Sequence, residues 1–294
     1  MNCVVSFLSY LQFEKRYSDQ TVSAYRRDLQ QFESCVNQEA SSNFWFNVDS
    51  DDVRWWIAEL MKKGYASSSV NRKLSSLRAF YKYLFGQGFI DSDPMRKVVG
   101  PRSKKTLPSF LKESQMEALL DESHFSSDFE GVRNRLILEF LYLTGVRSSE
   151  LIGLNDSDVS VKQRVIKVLG KRNKERLIPF DRRLENEIKD YLKIRDLEVD
   201  NCATAFFVRK NGDRLYRRLL YKIVHDHLSE FSTLKQKSPH VLRHTFATAM
   251  LNHGAELRSV QELLGHQSVS TTAIYTHTTF EELKKIYKQA HPRA

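Results

Sequence analysis

Three of the six prolines fall between residues 91 and 108, in Asp93-Pro94, Gly100-Pro101 and Leu107-Pro108, and no long helix or strand runs through such a stretch. Arg102, Lys104 and Lys105 keep it solvated, which predicts a basic linker over 91–108. Each side must then bury its own core. A chain of 294 residues that is 41% hydrophobic has room for two cores, one before the break and one after it.

The part before the break reads as helix alone. Val5, Leu8 and Leu11 recur at helical spacing, and so do Val22, Tyr25, Leu29 and Phe32 after Ser18-Asp19 as a helix start. Asp51-Asp52 opens a third helix that stops at Gly64, and Val70, Leu74, Leu77, Tyr81 and Leu84 mark a fourth before Gly86. The expectation for residues 1–90 is a four-helix bundle. The part after the break, 109–294, is mixed. Helices at about 113–121 and 131–144 precede two strands, Arg164 to Leu169 and Glu175 to Phe180, with Gly170-Lys171 in the turn between them. A helix at about 182–197, a short strand at Ala205 to Val208 and helices at about 214–231, 239–252, 256–264, 270–276 and 279–290 complete it. The fold class expected is mainly α with a small β-sheet (α+β).

A net charge of +10, split as +5 in residues 1–105 and +5 in 106–294, points to an anionic polymer that both parts touch. Cys3, Cys35 and Cys202 are odd in number and far apart, which speaks against a disulfide framework and for a reducing, cytoplasmic setting. No apolar run approaches the length of about 20 residues that a membrane helix needs, and no signal peptide or membrane contact is expected.

Six residues stand out in the second part: Arg147, Lys171, His240, Arg243, His266 and Tyr275. A phosphodiester under attack gathers negative charge on its non-bridging oxygens. Two arginines, a lysine and two imidazoles converging on one point stabilise that charge, and the tyrosine then reads as the nucleophile. Taken singly, each residue has a plain alternative. Arg147 sits in an elbow after Gly145, Lys171 at a hairpin tip, and Tyr275 is one of 12 tyrosines. Pro239 suits the first position of a helix capped by Ser238, which puts His240 and Arg243 on one face at i, i+3. Glu150, three residues after Arg147, either orients a guanidinium or caps its own helix. His240 and His244 have zinc-helix spacing, but Val241 stands where a metalloprotease glutamate belongs, and Gly170-Lys171 lacks the rest of a P-loop. Neither a metal nor a cofactor is expected.

Together, Thr144-Gly145-Val146-Arg147, Gly170-Lys171, His240-x-x-Arg243-His244, Leu264-Gly265-His266 and Tyr275 resemble the tyrosine recombinase (integrase) family over residues 106–290. Within it, the compact length and Gly170 to Pro179 are most similar to the Xer recombinases; Arg172 departs from the glycine often found there. The resemblance implies a SAM-like, DNA-clamping core-binding domain at 1–90 and a catalytic domain at 109–294. It implies that Tyr275 attacks a phosphate to form a 3′-phosphotyrosine link and release a 5′-hydroxyl. Arg147 and Arg243 then clamp the non-bridging oxygens, His240 does acid/base work, Lys171 protonates the 5′-oxygen, His266 donates a hydrogen bond and Glu150 supports the site. The partners implied are a double-stranded DNA recombination site, a homo- or hetero-tetramer with a second recombinase, and a DNA translocase as activator. The helix at about 279–290, with Leu283, Ile286 and Tyr287 on one face, is expected to pass to a neighbouring subunit. The task implied is resolution of chromosome dimers on the nucleoid through a Holliday junction. Mobile-element integration or inversion by the same chemistry stays open, as do a type IB topoisomerase and a DNA-binding protein without catalysis.

Overall fold

The computed structural model describes residues 3–37, 43–103, 109–170, 175–199, 204–265 and 277–292, with side chains of the last segment described from 284. The chain divides into two compact units, Met1–Thr106 and Leu107–Ala294.

In the first unit, α1 (Cys3–Ser9) runs on into a π-helical stretch, Tyr10–Glu14. Helix α2 (Asp19–Val36) starts where Ser18 accepts a hydrogen bond from the Thr21 amide, and α3 (Phe44–Asn47) is a single turn. Helix α4 (Ser50–Lys62) opens with a reciprocal capping box between Asp49 and Asp52, and α5 (Ser67–Gly86) closes the bundle. Phe7, Leu29, Phe32, Trp45, Val53, Trp56, Leu74 and Phe80 form the shared core. Asp28 is buried within the bundle and carries its compensation: Arg72 grips both carboxylate oxygens at 2.6 and 2.7 Å, with Lys73 and Ser76 at 3.0 and 2.7 Å.

Part of the segment expected as a solvated linker packs into this core. Pro94–Lys97 forms a 3-10 turn, Met95 and Val98 are buried, and Asn71 donates to the Pro101 carbonyl at 2.8 Å. Pro94 opens this turn without releasing the chain, because the turn packs against α4 and α5.

The second unit is built around α7 (Phe129–Thr144), buried along almost its whole second half, which packs between α9 (Arg182–Glu198) and α11 (Pro239–Asn252). Helices α6 (Glu113–Leu119) and α10 (Arg217–Phe231) pack on each other, and α8 (Ser148–Gly153) follows α7 after a short elbow. An antiparallel sheet of order β1-β2-β3 contains Val159–Ser160, Val165–Leu169 and Glu175–Pro179. In β2 and β3 the pair Val168↔Arg176 faces inward and Lys167↔Leu177 outward. The strand expected at Ala205 to Val208 is reduced to isolated bridges, Asn155↔Ala205 and Val208↔Arg214. Phe206 and Phe207 are both buried, so the segment has no solvent face to alternate with its core face.

Helix α12 (Leu257–Leu264) precedes α13 (His277–Ala290). The helix expected at about 270–276 lies outside the described residues. The apolar face of α13, expected on a neighbouring subunit, is covered in this structure by the chain's own domain. Tyr287 and Ala290 are buried in a cluster with Phe246, Met250, Val260, Leu263 and Leu264 of α11 and α12, and the His291 ring stacks between Tyr287 and Phe246. No described helix is long and apolar enough to cross a membrane.

Candidate active site

Helix α7 stops because Gly145 turns left-handed, at φ +60°, and its amide closes on the Leu141 carbonyl at 3.1 Å. A side chain could not replace it: a Cβ there would lie 2.5 Å from Phe246 and 2.8 Å from Leu264. This tight elbow delivers Arg147 to the N-cap position of α8. The capping and orienting roles foreseen for Glu150 are both filled by one carboxylate. Its Oε2 accepts from the Arg147 amide at 2.8 Å, and its Oε1 accepts from Arg147 Nη1 at 2.7 Å.

A third arginine completes the pair. Arg176, on the inward face of β3, forks onto both Glu150 oxygens at 2.8 Å each. Burial alone would push the Glu150 carboxyl up, but the hydrogen bonds and charge of Arg176, then the hydrogen bonds from Arg147, outweigh it and hold the group at about 2. Glu150 is therefore a fixed anion among cations.

Pro239 occupies the first turn of α11, as expected, and Arg243 follows one turn later with only 5% of its surface exposed. Its Nη1 donates to the Gly145 carbonyl and its Nη2 to the Leu264 carbonyl at 2.7 Å. Burial first, and then the neighbouring Arg147 charge, lower its pKa to about 10, which leaves it a cation at neutral pH. His240 lies at the surface with its ring 5.0 Å from that of His244. Partial burial first, then the charges of His244, Arg243 and Arg147, hold it below the ordinary imidazole value, so that the neutral ring able to accept a proton prevails.

Three guanidinium groups converge on the end of α12. Arg176 Nε donates to the Leu263 carbonyl at 2.9 Å, Arg243 Nη2 to Leu264 and Arg147 Nη2 to Gly265 at 3.0 Å. The last carbonyls of a helix have no partner within it and carry the negative end of its dipole, so a cation on each of three successive carbonyls is favourable on both counts. Of the residues singled out in the sequence, the structure brings Arg147, Glu150, His240 and Arg243 together. Lys171, His266 and Tyr275 lie outside the described residues. Among the described residues no group of three His, Cys, Asp or Glu stands ready to hold a metal ion.

Residues 109–282 match the phage integrase family, and residues 4–88 match the N-terminal SAM-like domain of phage integrases. The chain belongs to the phage integrase family. The tyrosine recombinase XerC of Chlorobaculum parvum is 38% identical over 314 residues, covering 98% of this chain and 94% of that protein. The XerC of Listeria innocua serovar 6a is 40% identical over 292 residues, covering 98% and 97%. Among solved structures, the XerH site-specific recombinase bound to a palindromic difH substrate in a post-cleavage complex has the same fold, with a TM-score of 0.72 and 23% identity over 96% of this chain and 83% of that one. The chain is a site-specific tyrosine recombinase of the Xer type.

Sequence reasoning missed one residue of this recombinase site. Arg176 lies inside the Gly170 to Pro179 segment that carries the family resemblance, yet no role was drawn for it. A signal was present: strand alternation puts Arg176 on the same face as Ile178, and a charged residue on the buried face of a strand requires a partner inside.

Proposed function

We propose that this recombinase cuts and rejoins duplex DNA at one site, with Tyr275 attacking the scissile phosphate to form a 3′-phosphotyrosine link and free a 5′-hydroxyl. The observation that carries the reading is the convergence of Arg147 and Arg243, from α8 and α11, on adjacent carbonyls, Gly265 and Leu264. Two guanidiniums held that close suit the two non-bridging oxygens of one phosphate. A free phenol has a pKa near about 10, so attack at neutral pH calls for a base. His240, kept neutral beside the arginines, suits that work. Lys171 and His266 take the remaining roles, protonation of the leaving 5′-oxygen and a further hydrogen bond to the phosphate. Glu150 orients Arg147.

The first unit serves as the DNA-clamping partner of the catalytic unit, consistent with a charge of +5 in residues 1–105 and +5 in 106–294. Recombination proceeds through a Holliday junction in a tetramer with a second recombinase or further copies of this chain, under a DNA translocase, on the nucleoid in the cytoplasm. In the tetramer α13 passes to a neighbour. Such an exchange trades one site for an identical one on the next subunit, so the buried Tyr287 finds the same surroundings on either side of it. The task is resolution of chromosome dimers, and the chemistry draws on neither a metal nor ATP.

The test is to recover detergent-resistant protein–DNA adducts from cells and sequence the attached DNA. Adducts confined to one chromosomal locus near the replication terminus, and lost in Tyr275→Phe, are expected. Adducts that persist in Tyr275→Phe would remove Tyr275 from its role, and adducts scattered over mobile elements would replace dimer resolution with integration.

A further inference from the structure

We propose that Arg176 is a positioning residue for strand cleavage, acting through Glu150 on the Arg147 guanidinium and through the Leu263 carbonyl on the end of α12 that leads to His266. The proposal rests on the function argued above. Its basis is the placement of one side chain. Arg176 is buried, and its guanidinium is committed within the protein. All three of its nitrogens are spent inside the protein: Nε on Leu263, Nη1 and Nη2 on the two oxygens of Glu150.

Glu150 receives four hydrogen bonds, two from Arg176, one from the Arg147 amide and one from Arg147 Nη1. That number saturates a carboxylate, so its position is over-determined and the Arg147 fork has a fixed origin. Removing Arg176 would take away half of those bonds and leave Glu150 buried with Arg147 as its remaining hydrogen-bonded partner. The carboxylate could then turn to follow Arg147, or take up a proton, and either change frees the guanidinium from its aim. The second route runs through the backbone. Gly265 is left-handed at φ +66°, and a Cβ there would lie 3.2 Å from the Arg176 side chain, so Arg176 packs directly beneath the turn that ends α12. Arg147 donates to that same turn at Gly265, which closes a loop of contacts: Arg176, Glu150, Arg147, Gly265, Leu263 and back to Arg176. Lysine cannot replace this fork, since a single ammonium does not span a carboxylate and a carbonyl in one plane.

A merely structural cross-link would make a different prediction from a positioning one, and pH separates them. Glu150 is faced by Arg147 from its own first turn, Arg176 from β3 and Arg243 from α11. With Arg176 gone, burial is opposed by less positive charge and the carboxyl pKa rises from its held value toward the working range. The cleavage defect of Arg176→Met should therefore deepen as pH falls from about 8.5 to 5.5, whereas a defect in folding alone should track the folded fraction.

The experiment measures covalent adduct formation on a preformed complex with a nicked duplex carrying the site captured from cells, using the full chain. Arg176→Met should bind with affinity close to wild type and cleave about 10- to 100-fold more slowly, by analogy with residues that orient metal ligands from behind. Arg176→Lys should recover part of the rate. In the double variant with Glu150→Gln the pH dependence of the defect should vanish. Cleavage by Arg176→Met at the wild-type rate, or a defect equal at every pH and matched by lost affinity, overturns the proposal. If Arg176→Met does not fold, a folded Arg176→Lys that cleaves like wild type overturns it as well. Failure of the underlying function looks different, because wild type would then give no Tyr275-dependent adduct. In that event the NMR signal of the Arg147 Nε–H still decides: the proposal expects it to shift and broaden in Arg176→Lys, and an unchanged signal rejects the coupling.

Discussion

Replacing Glu150 with Gln isolates the electrostatic centre of the site from its shape. The side chain is only 3% exposed and keeps its size in the variant, but one oxygen becomes an amide that points hydrogens at guanidinium hydrogens. In the folded chain the carboxyl is held at about 2 against an ordinary 4.5, as Arg176 and Arg147 outweigh the burial that opposes them. At about 1.4 kcal/mol per pKa unit, the ionised form contributes about 3 kcal/mol to stability. Removing one member of a buried pair typically costs about 3–5 kcal/mol, which agrees. A domain of this size loses about 2–4 °C of melting temperature per kcal/mol, so the second unit should melt about 6–12 °C lower at pH 7. The sign with pH follows from the depressed pKa. The contribution is complete above the unfolded value of 4.5 and drains away as pH falls toward 2, so wild type and variant should converge in acid. Calorimetry reads the difference. All three tryptophans, Trp45, Trp55 and Trp56, lie in the first unit, so their fluorescence follows the unit that lacks Glu150 and serves as an internal control. A variant that melts with wild type at pH 7, or a gap that stays constant down to pH 3, would refute the reasoning.

Arg243→Ala and Arg147→Ala should each slow adduct formation by about 100- to 1,000-fold while DNA affinity changes far less; a loss of affinity equal to the loss of rate would demote either to a DNA-holding contact. Gly145→Ala should cost about 1–3 kcal/mol, because its φ of +60° disfavours a side chain and a Cβ would press on Phe246 and Leu264; an unchanged melting curve would show that the elbow can give. Truncation after His277 should abolish synapsis and recombination, read by gel shift and product formation, and should also lower the melting temperature of the second unit, since Phe246, Val260 and Leu263 lose Tyr287 and Ala290. Normal synapsis by that truncation would end the exchange reading of α13.

Most helices were legible because their apolar residues repeat with the helical period and their ends carry chemistry. Ser18 caps α2 with its side-chain oxygen, Gly145 ends α7 in a left-handed turn, and Pro239 opens α11 with no N–H to leave unpaired. Strands β2 and β3 were legible from their alternation, to within a residue at each end. The departures have one cause. Met95 and Val98 are two apolar residues among prolines and charges, and Phe206-Phe207 is an adjacent pair; neither makes a period, so where they pack is decided by the space that distant helices leave open. The face of α13 was correctly read as apolar, but periodicity says only that a face needs cover and does not name the surface that supplies it.

The site divides along the same line. The side chains that carry the proposed chemistry stand in short local contexts, and Arg147, His240 and Arg243 could be picked out with them. The acceptors that hold those side chains are the carbonyls of Gly145, Leu263, Leu264 and Gly265, and a carbonyl has no sequence signature, since every residue carries one. The structure adds a physical consequence of that choice. Among the described residues Arg147 and Arg243 each donate from two nitrogens to the protein, which anchors both guanidiniums. Three guanidiniums face one carboxylate and the negative end of a single short helix, so the cluster stays net positive after its internal pairing. On the proposed function, a phosphate entering such a site would meet cations whose directions are set beforehand, with little reorganisation left to oppose the charge that develops as the phosphodiester is attacked. The same contacts that aim the arginines also fix Gly265, the last described residue of that turn.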